Sequence, residues 1–198
     1  SEELTFETPA LPDAFPTPRV TVHNPGAMEP GVTVFNVNGR WGPDGRSTPA
    51  NFSPAIIVND NGDVIWYYLP GVHRVHDIRR LSNGNFAYEV WPGTDGMLEI
   101  DMLGNVINQW QFSGTVKEVH DGSIPVATDT FHHDYVELPN GNFLLMSTES
   151  RVIDDWPANY ELDGQTQQAN VIGDVIIEMT RAGDVLREWK LHDIIDPY

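Results

Sequence analysis

"VHDIRRLSNGNFAYEV", residues 75–90, and "HHDYVELPNGNFLLMS", residues 132–147, are two versions of one pattern. His76 matches His133, Asp77 matches Asp134, Leu81 matches Leu138, and Asn83–Phe86 matches Asn140–Phe143, always 57 residues apart. A second element recurs with a different spacing. "LEIDMLGNVINQW" ends at Trp110 and "IIEMTRAGDVLREW" at Trp189, with Glu, Gly, Val and Trp in register 79 residues apart. An earlier relative, "IIVNDNGDVIWYY", ends at Tyr68. Repeats of this kind govern how the rest of a chain is read.

Each repeat reads as β structure. Asn-Gly, Asp-Gly and Leu-Gly pairs separate runs rich in Val, Ile, Phe, Tyr and Trp, such as "PAIIVN", "DVIWYYL", "NFAYEV", "VINQWQF", "NFLLMST" and "DVIIEMT". Glycine and asparagine tolerate the positive φ that tight hairpin turns demand. Helix signals are scarce, with one short candidate at "HDIIDPY". The repeat boundaries fall at residues 30–72, 73–115 and 116–191, the last enlarged by a loop around "VIDDWPANYELDGQTQQAN". Residues 1–29, with five prolines, read as an extended arm.

Units of this length with several strands each suit propeller blades. The expected fold is therefore all-β, a partial β-propeller of about three blades covering residues 30–198. Propellers close with four to eight blades, and three leave sheet faces and strand edges unpaired. The chain is accordingly expected to be completed by a second polypeptide or by further blades.

Lys and Arg number 11 against 29 Asp and Glu, a net charge of −18. Such a surface argues against nucleic acid and against anionic membranes as partners. It also means that an anionic substrate must be held by a local cluster of cations or N–H groups. Cysteine is absent, which removes disulfides, thiol nucleophiles and thiolate metal sites. No apolar run has the length needed to cross a bilayer. "NFS" at Asn51–Ser53 matches the glycosylation pattern.

With these motifs in hand, the sequence resembles the arylsulfate sulfotransferase family, six-bladed propellers carrying HD…LPNGN followed by a Glu…Gly-x-Val…Trp strand pair. The resemblance covers residues 30 to 198, and "HHDYVELPNGNFLLMSTESR" is its most specific part. It implies that His76, His133 and Arg151 face a central channel and hold a sulfuryl group. It implies an exported protein, periplasmic or secreted. The family's nucleophilic histidine belongs to a D-W-x-H-x-N motif. Here "DDWPAN" at Asp154–Asn159 has the tryptophan but no histidine, so the nucleophile is expected outside this chain.

The chemistry asks for the same side chains. Sulfuryl transfer to a phenol concentrates charge on sulfate oxygens and on a departing phenolate. Arginine offers a fixed fork of donors for oxyanions, and histidine donates or shuttles a proton near neutrality. No Walker-type loop occurs, which argues against a nucleotide sulfate donor. If His132 and His133 lie on an extended segment they point to opposite faces. Register with His76 then selects His133 for the channel and leaves His132 as its packing or hydrogen-bonding neighbour, close to the substrate. Trp91, Trp156 and Tyr135 are the candidates for an aromatic-ring pocket, whereas Trp66, Trp110 and Trp189 recur at strand ends and read as packing. The competing reading of an HD pair is a brace for a turn, its ring bonded locally. Asp77 and Asp134 fit the role of orienting the imidazoles.

No cofactor is expected for sulfuryl transfer by this route. A different enzyme class remains open: a divalent metal held by His73, His76, His132 and His133, activating water for lactone or ester hydrolysis. A non-catalytic propeller serving as a binding platform is the third alternative.

Overall fold

The computed structural model describes residues 10–12, 15, 18–37, 53–70, 74–91, 96–115, 118–159 and 164–195. It is all-β, with three sheets. The first contains β1 (Thr33–Asn36), β2 (Ala55–Val58) and β3 (Val64–Tyr68). The second contains β4 (Arg74–Arg80), β5 (Phe86–Trp91), β6 (Met97–Ile100), β7 (Val106–Phe112) and β8 (Ile124–Val126), side by side in chain order. The third contains β9 (Tyr135–Glu137), β10 (Phe143–Pro157), β11 (Thr166–Met179) and β12 (Val185–Lys190). Pairing is antiparallel except between β7 and β8. Among the described residues the only helical turns are short 3-10 segments, Pro25–Ala27 and Leu191–Asp193. The sheets do not close into a barrel or a ring.

The five hairpins that the repeats announce share one hydrogen-bond scheme. At Leu81, the residue's N–H donates to the Asn85 carbonyl, and the Gly84 N–H donates to the Leu81 carbonyl. Leu138 and Gly141, Asn59 and Gly62, Asp101 and Gly104, and Thr180 and Gly183 repeat it. Gly84 and Gly141 sit at φ 91° and 82°, where a Cβ would crowd the backbone. That requirement explains why Asn-Gly recurs at both turns.

The repeated glutamates belong to the same device. Asn83 and Asn85 each donate a side-chain N–H to Glu99 Oε1 at 2.7 Å. In the second copy Asn142 donates to Glu178 Oε1 at 2.7 Å, with Asn140 at 3.5 Å. The Asn-Gly-Asn turn of one hairpin therefore holds the carboxylate of the next strand but one, which satisfies a charge that would otherwise be costly to bury. In the first sheet, Ile57 occupies the corresponding place.

The second sheet lies between the other two. Ala55, Ile57, Val75, Phe86, Tyr88, Val90 and Leu98 form the core against the first sheet. Ala87, Met97, Trp110, Phe143, Leu145, Val175, Ile177 and Met179 form the core against the third. Each boundary carries a tryptophan whose indole N–H donates to a turn carbonyl of the following sheet. Trp66 reaches Met102 at 2.9 Å and Trp110 reaches Arg181 at 2.8 Å. Trp110 is fully buried and meets Phe143 edge-on at 5.2 Å. The packing role read for Trp66 and Trp110 is thus met. Phe15, in the N-terminal segment, packs edge-on against Tyr67.

Candidate active site

Both His-Asp motifs are β-bulges. In the first, Cα pairing between β4 and β5 skips from His76–Glu89 to Arg79–Ala87, and Asp77 has φ 49°. In the second, the His132 N–H donates to the Met146 carbonyl and the Met146 N–H to the Asp134 carbonyl. Between them His133 stands at φ 64°. Asp77 and His133 are the only non-glycine residues with positive φ among the described residues. Side-chain-bearing residues held there are strained and gather at functional sites, and bulges re-aim side chains.

The premise that His132 and His133 lie on an extended segment therefore does not hold. The left-handed turn at His133 replaces strand alternation, and the two rings stand perpendicular with centroids 5.1 Å apart. His132 donates from Nε2 to the Ser147 carbonyl at 3.0 Å. That bond ties its ring to β10.

The two motifs converge through residues that the repeats do not single out. Arg79 contacts Asp77 with Nε at 3.2 Å and Asp134 with Nη2 at 2.6 Å, bridging the aspartates of both copies. Glu89, only 7% exposed, has Oε2 3.3 Å from His76 Nδ1. His76 Nδ1 is buried without a well-aligned hydrogen bond. The His133 backbone N–H donates to the Glu89 carboxyl. Burial pushes the Glu89 pKa up to about 7, helped by the charge on Asp77 and opposed by the His133 N–H. Asp77 is likewise raised by burial, against the pull of Arg79. The result is a carboxyl that exchanges a proton near neutrality beside an imidazole.

Arg151 is placed elsewhere. Met146 lies opposite the second bulge, and Arg151 is five residues further along β10, roughly 16 Å at strand rise. Its guanidinium contacts Glu149 at 2.6 Å and Asp193 at 2.7 Å, and Lys190 joins Glu149 at 3.3 Å. These charge-assisted contacts raise the Arg151 pKa. The structure brings the His76 ring and the His133 backbone N–H to Glu89 with Arg79 beside Asp77 and Asp134, while Arg151 belongs to a separate ion cluster.

The aromatic candidates disperse. Tyr135 is buried, and its hydroxyl donates to the Ala87 carbonyl of the neighbouring sheet, so it bolts two sheets together. Trp156 lies far along β10 opposite Gln167. Trp91 ends β5 opposite Arg74, with its side chain outside the described residues, as is His73 altogether. Among the described residues no three His, Asp or Glu side chains gather as a metal-holding group. Of the four imidazoles proposed as ligands, His132 has committed its Nε2–H to Ser147. The crevice beside Glu89, lined also by His132, Asp134 and Met146, measures about 10 Å³. It has room for a single water and none for an aromatic ring.

Sequence signals for the missed residues exist. Arg79 follows Asp77 by two positions, and Glu89 is the one charge inside the apolar strand "NFAYEVW". Glu99 and Glu178 belong to the 79-residue repeat.

Comparison with known proteins adds three findings. The sequence matches the family described as Arylsulfotransferase (ASST) over residues 19–198. No curated protein matches it. A solved structure, a protein of unknown function from Bacteroides caccae, is similar over 69% of this chain and 74% of that chain, with 14% identity and a TM-score of 0.27.

Proposed function

The chain belongs to the arylsulfotransferase family, and from that premise we propose that it carries part of a site for nucleotide-independent sulfuryl transfer from an aryl sulfate to a phenol. The observation that carries this reading is the meeting of both His-Asp bulges around Glu89 and Arg79. The three sheets are read as consecutive blades of a propeller that further blades complete. The attacking histidine of the family belongs to those blades, and the protein works outside the cytoplasm, in the periplasm or after secretion.

The transfer breaks the S–O bond of the donor ester and forms one to the acceptor oxygen. The acceptor phenol gives up its proton, and the departing phenolate takes one. His76 and His133 donate to sulfate oxygens in this reading, and Glu89, poised near pH 7, receives or returns the proton. Arg79 holds Asp77 and Asp134 in place and offsets their charge near an anionic substrate. Donors fixed before charge develops are the usual source of such catalysis.

The test follows 4-nitrophenolate release from 4-nitrophenyl sulfate with phenol as acceptor, on the protein together with whatever blades accompany it. His133→Asn should lower turnover about 100-fold, the scale for removing one oxyanion donor, with thermal unfolding unchanged, whereas Arg151→Ala should leave turnover within a few-fold of the parent. Turnover within a few-fold of the parent in His133→Asn would overturn the proposal.

A further inference from the structure

The boundary between the second and third sheets has a socket and a key. The socket is Glu99, fully buried, with Oε1 held by Asn83 and Asn85 and Oε2 accepting from Asn108 at 2.7 Å. The key is Arg181, in the hairpin turn between β11 and β12. Its guanidinium bonds Glu99 Oε2, contacts Glu137 at 3.4 Å and lies over the rings of Trp110 and Phe143, 5.6 and 5.3 Å from their centroids. Its carbonyl accepts the Trp110 N–H. One turn residue thus docks a sheet onto its neighbour by a cation for the carboxylate and a carbonyl for the indole.

The third sheet carries the same socket on its far side. Glu178 and Trp189 stand 79 residues beyond Glu99 and Trp110, and Ile176 stands where Met97 does. Leu144 repeats Ala87 at the 57-residue spacing. Asn140 and Asn142 hold Glu178 Oε1 as their counterparts hold Glu99. The difference is what faces it. Among the described residues, Glu178 Oε2 has only Arg187 at 3.9 Å, beyond hydrogen-bond reach. Trp189 is 38% exposed, against complete burial of Trp110. Val136, Val152 and Ile172 are exposed, and a shallow depression of about 140 Å³ opens among Val136, Leu144, Met146 and Ile176.

We propose that this face docks one further β-sheet whose hairpin turn presents an arginine to Glu178 and a backbone carbonyl to Trp189. The position before the last two residues of the turn decides the occupant. In the three sheets here it is Asp60, Met102 and Arg181. Asp60 would be repelled by Glu178, and Met102 brings no charge. Arg181 is already engaged by Glu99 and Glu137. A second copy of this chain therefore has no free key, and its net charge of −18 opposes self-association. The partner is a different sheet bearing an arginine in a four-residue Arg-containing turn closed by glycine. The inference rests on the proposed reading of the three sheets as consecutive blades and is independent of the sulfuryl chemistry.

Two measurements test it, both without an activity readout. In the chain as it stands, titration with N-acetylarginine methylamide should shift the NMR signals of the Asn142 side-chain amide and the Trp189 indole. The signals of Asn85, in the filled socket, should stay put. N-acetyllysine methylamide should do markedly less, because a single ammonium cannot span carboxylate and ring as a planar guanidinium does, and Glu178→Gln should abolish the response. In a second chain, residues 118–195 are repeated after residue 195. The added sheet brings its own copy of the key, and the Trp189 indole should become protected from hydrogen exchange as Trp110 is. Replacing that added arginine by alanine should lose at least tenfold of the protection. The proposal is overturned by an Asn142 signal that ignores arginine, by protection indifferent to Glu178→Gln and to loss of the added arginine, or by self-association that buries Trp189 in the unmodified chain.

Discussion

At their turn ends the two HD…NGN copies make the same bonds; at their bulge ends they do not. Asn85 and Asn142 both hold a glutamate oxygen at 2.7 Å, and both turns close on a glycine at positive φ. Toward the bulges the copies diverge. The left-handed residue is Asp77 in one and His133 in the other, one position apart in the aligned repeat. Glu89 and Arg79 of the first copy correspond to Met146 and Val136 of the second. The likeness of the turn ends reflects a shared structural requirement, because a buried carboxylate needs its donors wherever the sheet recurs. The unlikeness of the bulge ends gathers one buried acid, one guanidinium, the His76 imidazole and the His133 backbone N–H into a place that neither copy could build alone.

That contrast can be broken. Turn-end changes should cost stability, and the largest is Trp110→Ala. It empties a fully buried site and leaves the Arg181 carbonyl without its indole donor. A loss of about 3–5 kcal/mol in urea unfolding is expected, and a loss below 1 kcal/mol would mean that this boundary does not hold the sheets together.

At the bulge end the expected effect is a pH dependence. The Glu89 pKa rises from 4.5 unfolded to about 7 folded. The folded state therefore binds the extra proton between those values. Stability is full below pH 4.5, falls as pH rises toward 7 and levels off above it, by up to about 3 kcal/mol at 1.36 kcal/mol per pKa unit. Glu89→Gln should flatten that part of the profile. Denaturant titrations of parent and variant between pH 4.5 and 8 decide the matter, and identical slopes would remove Glu89 from the site.

The smallest effect sharpens the comparison within the turn ends themselves. Asn85→Ala removes a donor from Glu99, which is fully buried and also holds Arg181, and should cost about 2 kcal/mol. Asn142→Ala acts on Glu178 at the open face and should cost about 1 kcal/mol. Equal losses would show that the key adds nothing to the socket.

Much of the scaffold was readable from residues alone. The five turns follow from Asn, Asp and Gly chemistry within five-residue windows, and the three strand-rich units follow from the spacings of 57 and 79. The expected third unit began at residue 116, yet β8 at Ile124–Val126 adds in parallel to the second sheet. Its three residues are too few to carry a periodicity. At the site, pairing His76 with His133 came from the repeat, and the structure brings the His76 ring and the His133 backbone N–H to Glu89. Arg151 was placed with them by the resemblance to the family. The strand carries it past the bulge into the reach of Glu149 and Asp193.

By itself the sequence determined the strands, the turns, the paired histidines and the repeated glutamates, because those depend on preferences acting over a few neighbouring residues. Only the tertiary structure decided that Arg79 bridges both aspartates, that Glu89 meets the His76 ring and the His133 backbone N–H, and that Tyr135 fastens two sheets. Such meetings depend on inter-sheet packing and on where a bulge inserts its extra residue. A one-residue shift there turns a side chain to the other face, and local pattern does not record it.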